Sequence, residues 1–290
     1  MVKTRVCDIF GIKYPIIQGA LQGLSYAELA AAVSNAGALG MISGVLSPEK
    51  LRQEIRKARS LTSKPFGVNV PIMLLRDRVK EILDVIIEEK VDVVVTAAGS
   101  PELYTKHLKA AKLNVIHVVS AVSHAQKAEA AGVDAVVASG IEAGGFLSYD
   151  EITTLVLVPQ VVDAVRVPVI AAGGIADARG LVAAFALGAE GIQMGTRFIA
   201  TRECPANSDF KEAIVKADDT ATEVRNRGQQ PSRGFKANYL ETVLPRTSTS
   251  YSAGQISGMI KEILPVKEVI DRLVAESGQI YYRLEQKLAK

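Results

Sequence analysis

Short apolar, largely β-branched runs recur along the chain: Pro15–Gln18, Ala38–Ile42, Phe66–Val70, Val91–Thr96, Val115–Val119, Ala135–Ser139, Val169–Ala172 and Gly191–Met194. Their starts lie about 20 to 34 residues apart, enough for one strand and one helix. Most are apolar at nearly every position (VDVVVT, VDAVVA, VPVIAA). A strand of that kind is buried on both faces, as in a parallel sheet covered by helices.

Helical patterns with start and stop signals fill the gaps. Ser47-Pro48-Glu49 supplies an N-cap, a proline at the first helical position and an acid in the first turn. Ser100-Pro101-Glu102 repeats that grammar, and Asp177-Ala178-Arg179 opens an Ala-rich helix that Leu187-Gly188 ends. Eight successive βα units predict an α/β fold, a (β/α)8 TIM barrel with a smaller inserted cap domain. The alternative is an open doubly wound sheet. Eight units in about 190 residues with no break in strand order favour closure. Residues 1–202 are read as the barrel and 203–250 as a substrate-covering cap. Glu203–Pro245 is polar there, with short helical pieces such as Asp209–Ala217. Residues 251–290 are read as a helical segment that packs back on the barrel.

Composition narrows the function classes. Of 290 residues 48% are hydrophobic and 22% charged, which excludes a disordered or low-complexity chain. The net charge of +3 arises from interspersed charges, so no nucleic-acid partner is expected. Cys7 and Cys204 lie far apart without a CxxC, which excludes a disulfide scaffold and suits a reducing cytoplasm. The start MVKTRVCDIFG has no apolar signal-peptide core, and no apolar run reaches about 18 residues, so neither export nor a membrane span is expected. With three histidines and no HExxH spacing, no metal site is expected.

In a (β/α)8 barrel the ligand site lies at the C-terminal ends of the strands, and the loops after strands seven and eight often bind a phosphate. Those loops read Ala171-Ala172-Gly173-Gly174-Ile175-Ala176-Asp177 and Gln193-Met194-Gly195-Thr196-Arg197. Glycines let backbone N–H groups approach phosphate oxygens, and the Thr196 hydroxyl adds a donor. Tight βα turns alone would also use such glycines. A third cluster, Ser139-Gly140-Ile141-Glu142-Ala143-Gly144-Gly145-Phe146, would let a flat ligand lie on the backbone. Asn69 ends strand three with an amide that donates and accepts; an Asx turn before Pro71 is the plainer reading. Gln18-Gly19-Ala20 ends strand one with small residues where a ring could approach. Lys127 and His124 are read at the start of a helix, where a lysine opposes the dipole and would serve a bound anion. His107 and His117 are read as structural.

Together the stretches YPIIQGAL, FGVNVP, HAQKAEAAGVDAVVASGIEAGG, VPVIAAGGIADARGLVAAFALGAEGIQMGTRFIATRECP and SAGQISG resemble the nitronate monooxygenase (2-nitropropane dioxygenase-like) family and its relative, the FMN-dependent enoyl-acyl-carrier-protein reductase. The resemblance implies a barrel carrying FMN. It implies a phosphate cradle of Gly173, Gly174, Gly195 and Thr196, with Gln193 and Met194 in the same motif. It places Gly19, Ala20, Leu21 and Asn69 on the isoalloxazine side, Lys127 near the flavin, and Ser139 and Gly144 in the loop after strand six. Gln255 of SAGQ returns to the flavin from the C-terminal segment. Relatives read EAGGH; here the last position is Phe146, so a general base or acid is lost there.

The leading expectation is an FMN-dependent oxidoreductase that oxidises nitronates with O2. Its alternatives are an NAD(P)H-dependent reductase of enoyl thioesters or quinones and a flavin-binding protein that has lost its activity. A further alternative is a barrel isomerase or lyase for a phosphorylated metabolite. The expected partners are a small-molecule substrate, NAD(P)H as donor in the reductase reading, and a second copy of the chain in a homodimer. The cap arginines Arg225, Arg227 and Arg233 either bind an anionic substrate tail or are merely solvated.

Overall fold

A computed structural model of the protein describes residues 3–244 and 251–288. Among the described residues eleven strands form: β1 (Ile16–Gln18), β2 (Gly40–Ser43), β3 (Phe66–Pro71), β4 (Val93–Ala97), β5 (Asn114–Val119), β6 (Ala135–Ser139), β7 (Gly145–Phe146), β8 (Val169–Ala172), β9 (Gly191–Met194), β10 (Thr222–Arg225) and β11 (Ser232–Phe235). Eight of them make one parallel sheet in the order β1-β9-β8-β6-β5-β4-β3-β2. A parallel bridge between Ile17 and Leu39 joins its two ends, so the sheet is a barrel and not an open doubly wound sheet. All eight predicted runs are barrel strands. The second starts later than Ala38 because Leu39 gives its backbone to the closing bridge.

Side chains alternate across the barrel wall. Ile17, Met41, Val93, Val95, Ile116, Ala135, Val137, Ile170 and Ala172 fill its interior, together with Val6, Phe10 and Ile12. The last three come from the helix Arg5–Phe10 and its exit, which plug the end where the strands begin. An Arg5–Glu190 ion pair and a hydrogen bond from Asn114 Nδ2 to the Ile9 carbonyl (3.3 Å) fasten that plug. The opposite wall residues, among them Val68, Val94, Val115, Val136 and Ala171, pack under the helices. Buried aliphatic side chains of this size each favour folding by about 1.5–3 kcal/mol relative to exposure. The expected caps form: Ser47 accepts from the Lys50 N–H (3.2 Å) and Asp177 from that of Arg179 (2.9 Å). The Ser100-Pro101-Glu102 stretch opens a short 3-10 turn, Pro101–Leu103, ahead of the helix Thr105–Ala110.

Beyond β9 the helical piece expected at Asp209–Ala217 is the helix Ser208–Lys216, and the structure adds an antiparallel pair, β10 and β11, that the sequence reading did not foresee. The third strand of that sheet is β7, from the loop after β6. The cap sheet thus includes barrel-loop residues assigned above to 1–202. Its core is aromatic: Phe210 stacks on Tyr251 (4.4 Å between centroids) and meets Phe235 edge-on (6.5 Å). The expected boundary at 250/251 lies against residues 245–250, outside those described. Further on, the helix Val266–Leu288 packs on the helices Ala178–Ala186 and Ala27–Asn35. Among the described residues no helix is long and apolar enough to cross a membrane.

Candidate active site

A cavity of about 1230 Å³ opens at the C-terminal ends of the barrel strands, between the barrel and the cap sheet. That exceeds the roughly 300–1,000 Å³ of a pocket for one drug-sized ligand, so it has room for a cofactor and a substrate together. Gly19, Ala20, Leu21, Asn69, Lys127, Ser139, Gly144, Gly173, Gly174, Gln193, Met194, Gly195 and Thr196 all line it. Gln255 does not. Its side chain is exposed, and only its backbone N–H reaches inward, to the Glu142 carbonyl (2.9 Å). Its neighbours Gly254 and Ile256 are the lining residues of that segment.

The loop after β1 is held by a buried amide. Gln18 Nε2 donates to Ser25 Oγ (2.8 Å) and the Met41 carbonyl (3.1 Å), while its oxygen accepts from the Met41 N–H (3.1 Å). Ser25 Oγ in turn accepts from the Leu21 N–H (2.7 Å). Asn69 reaches across the sheet, Nδ2 to the Val95 carbonyl (3.2 Å), so the Asx-turn reading is corrected. The loops after β6 and β8 meet on Thr154, the first residue of the helix Thr154–Ala164. The Glu142 carboxylate accepts from the Thr154 N–H (3.0 Å) and from Oγ1 (2.9 Å), and Oγ1 also lies 3.1 Å from the Ala172 and Gly173 carbonyls. A carboxylate at a helix N-terminus is favoured by the exposed N–H groups there. The sequence pointed to Glu142 only as a member of the glycine cluster; its pairing with Thr154, twelve positions on, left no sequence signal.

Two glycines leave space rather than fill it. Gly174 has φ +70°, and a Cβ there would meet nothing closer than Glu142 at 3.7 Å. Gly195 has φ −103°, open to any residue, and a Cβ would meet only Leu21 Cδ2 at 3.5 Å. Next to Gly195, buried Thr196 accepts from the Gly254 N–H (2.9 Å), leaving its hydroxyl hydrogen to give. Gly144 serves contact instead: a Cβ there would sit 2.6 Å from the Gly254 nitrogen.

Lys127 differs from expectation. The helix runs Val122–Ala130, so Lys127 lies in its last turn and complements the dipole rather than opposing it. Its ammonium is exposed at the cavity wall and pairs with no carboxylate among the described residues. His117 is buried yet lines the cavity, with Nδ1 2.7 Å from Thr96 Oγ1. Burial, with the nearby His124 adding to it, pushes the His117 pKa down from 6.5 to about 4. The unfolded chain therefore takes up this proton between pH 6.5 and about 4 while the folded protein does not. Acidification through that window should cost up to about 3 kcal/mol of stability, all of it regained above pH 6.5. Urea unfolding at pH 7, 5.5 and 4 checks this: His117→Gln should flatten the decline, and an unchanged decline would refute the assignment.

None of the cap arginines lines the cavity. Arg227 pairs with Glu151 (2.6 Å), Arg225 with Glu223 (3.2 Å), and buried Arg233 donates to the Ile141 carbonyl (3.0 Å). Arg227 and Arg233 tie the β10–β11 segment to the loop after β6. Among the described residues no group of three His, Cys, Asp or Glu side chains could hold a metal ion.

A parallel eight-stranded barrel with one large cavity at its strand ends, ringed by glycine loops, is the architecture of a barrel enzyme. The sequence profile of the nitronate monooxygenase family matches residues 3–82 and 72–247. The chain is 36% identical to a probable nitronate monooxygenase of Staphylococcus saprophyticus, with 82% of this chain and 80% of that protein covered. A second, from Staphylococcus haemolyticus, is also 36% identical, with 83% and 80% covered. Among solved structures, FabK from Thermotoga maritima superposes with a TM-score of 0.92 at 40% identity, over 99% of this chain and 100% of that one. A nitroalkane oxidase from Streptomyces ansochromogenes superposes with a TM-score of 0.84 at 27% identity, over 96% and 99%. The chain belongs to the nitronate monooxygenase family and is an oxidoreductase acting on small molecules.

Proposed function

We propose that the protein is a cytoplasmic FMN-dependent nitronate monooxygenase that oxidises nitronates with O2. The observation that supports a cofactor here is the open space beside Gly174 and Gly195, where a Cβ would meet nothing closer than 3.5 Å and a phosphate would fit. Gly173, Gly174, Gly195 and Thr196 would hold the phosphate through backbone N–H groups and one hydroxyl. Gly19, Ala20, Leu21, Asn69, Ser139 and Gly144 would bound the ring system, and Lys127 would offer its charge to an anionic partner. FMN, when bound, supplies a one-electron acceptor for the nitronate and a donor to O2. Phe146 neither takes nor gives a proton, which suits a substrate already deprotonated.

The likeness to FabK over 99% of the chain supports a second reading, reduction of an enoyl thioester or a quinone by NAD(P)H. One experiment separates the two. Purified protein should be yellow, and its heat-released chromophore should run with FMN. Under anaerobic conditions a nitronate, and not NAD(P)H, should bleach it. Bleaching by NAD(P)H alone would establish the reductase instead, and protein that stays colourless after addition of FMN would overturn both.

A further inference from the structure

Single apolar side chains in water are ordinary on a folded surface, but several lining one cavity mark a binding surface. Three large, exposed apolar side chains line the cavity: Met73 (64% exposed), Phe146 (57%) and Tyr149 (64%). They come from two separate loops, Met73 from the turn after β3 and the other two from the loop after β6. Neither loop presents them by accident of mobility. The Met73 N–H donates to the Ala98 carbonyl (2.9 Å) on the neighbouring loop. Phe146 sits in β7, in register with Ser232 of β11, and the next residue is tied by Leu147 N–H to the Pro231 carbonyl (2.9 Å). Leu147 turns inward and is buried while Phe146 turns outward, the alternation of a paired strand. The turn carrying Met73 ends at Arg76, with φ 50° and ψ −123°, a conformation costly for a residue with a side chain. Such strain persists only where surrounding contacts fix the turn.

We propose that Met73, Phe146 and Tyr149 form an apolar collar that takes the hydrocarbon tail of the substrate, with Phe146 setting chain-length preference. The proposal rests on the nitronate reading for the identity of the head group only. The cavity wall carries one unpaired ammonium among the described residues, that of Lys127, to meet an anionic head. At the mouth the arginine and carboxylate of Arg227 and Glu151 neutralise each other, and Arg233 is turned to the Ile141 carbonyl. Lys127 is the only lysine or arginine among the described residues that line the cavity, so a tail bearing phosphates would compete with the head group for it, whereas a hydrocarbon tail would find three apolar side chains.

Straight-chain carboxylates test the collar without turnover, because they carry an anionic head and a variable tail and are not oxidised. The protein as purified is titrated calorimetrically with butanoate, hexanoate, octanoate and decanoate. Each added CH2 that reaches the collar should tighten binding by up to about fourfold, the full value for burial. Phe146→Ala should flatten that progression, Met73→Ala should weaken it less, and Phe146→Leu should keep most of it. Both positions are exposed, so the variants should melt with the parent protein. Equal dissociation constants from butanoate to decanoate would overturn the collar, and an unchanged progression in Phe146→Ala would overturn the role of Phe146. Graded binding in a protein that oxidises no nitronate would keep the collar and overturn the functional reading. Nitronate oxidation with flat carboxylate binding would do the reverse.

Discussion

Replacing Gly195 with leucine should leave the barrel folded and strip it of FMN. The backbone there needs no glycine, since its φ of −103° is open to any residue. Built onto it, a Cβ touches only Leu21 Cδ2, at 3.5 Å, so the longer side chain projects into the cavity. Stability should change by less than about 1 kcal/mol, as for substitutions that neither cut a cavity nor strain the chain. The phosphate would lose N–H contacts from the Gly195-Thr196 turn. Charge-assisted hydrogen bonds contribute about 1.5–3 kcal/mol each, so losing two weakens FMN by roughly 10²- to 10⁴-fold. Gly174→Leu should have a similar effect on FMN. It should also cost stability, because φ +70° is a left-handed conformation that disfavours side chains by about 1–2 kcal/mol. Fluorescence quenching on FMN addition measures the first effect and thermal melting the second. Normal FMN occupancy in both variants would mean that the cradle lies elsewhere.

The barrel was readable from the chain because its strands are buried on both faces. Such strands leave unbroken runs like VDVVVT, and the helix between each pair imposes the spacing. The cap sheet left no such trace. β7 is two residues, Gly145 and Phe146, while β10 (TEVR) and β11 (SRGF) are partly polar. Their pairing depends on Phe210, Phe235 and Tyr251, which meet only after the chain has folded. The same distinction runs through the site. Glycines at strand ends announce themselves, since few residues tolerate a close approach of backbone. Gln255 misled because the useful atom of its motif is the N–H of the preceding Gly254, bonded to Thr196 Oγ1. His117 sits in a strand with nothing nearby in sequence to reveal Thr96 beside it. Arg227 gave no sign of its partner, because Glu151 lies 76 positions earlier in the chain.

Oxidation of a neutral nitroalkane should be slower than that of its preformed nitronate by about 10²- to 10⁴-fold at neutral pH, the value of a positioned general base. Phe146 is the reason: the nitroalkane must lose a C–H proton before it can give an electron, and a phenyl ring cannot take it. Phe146→His should recover part of that factor, with the recovered rate rising through the histidine's own titration, near pH 6.5, since only the neutral imidazole accepts a proton. Position favours the rescue. β7 is pinned to β11, residue 146 already lines the cavity, and Ser232, opposite it in register, is a cavity residue too. Recovery should stay partial, because an imidazole acts well only when its second nitrogen is held, and among the described residues no carboxylate lines the cavity unpaired: Glu151 is taken by Arg227 and Glu142 by Thr154. The gain should be confined to the nitroalkane, leaving the rate with the nitronate nearly as it was. Equal turnover of both substrates by the unmodified protein would place the base elsewhere. Tyr251, bonded through its hydroxyl to Asn207, and His124, beside Ser120, both line the cavity and would be substituted next.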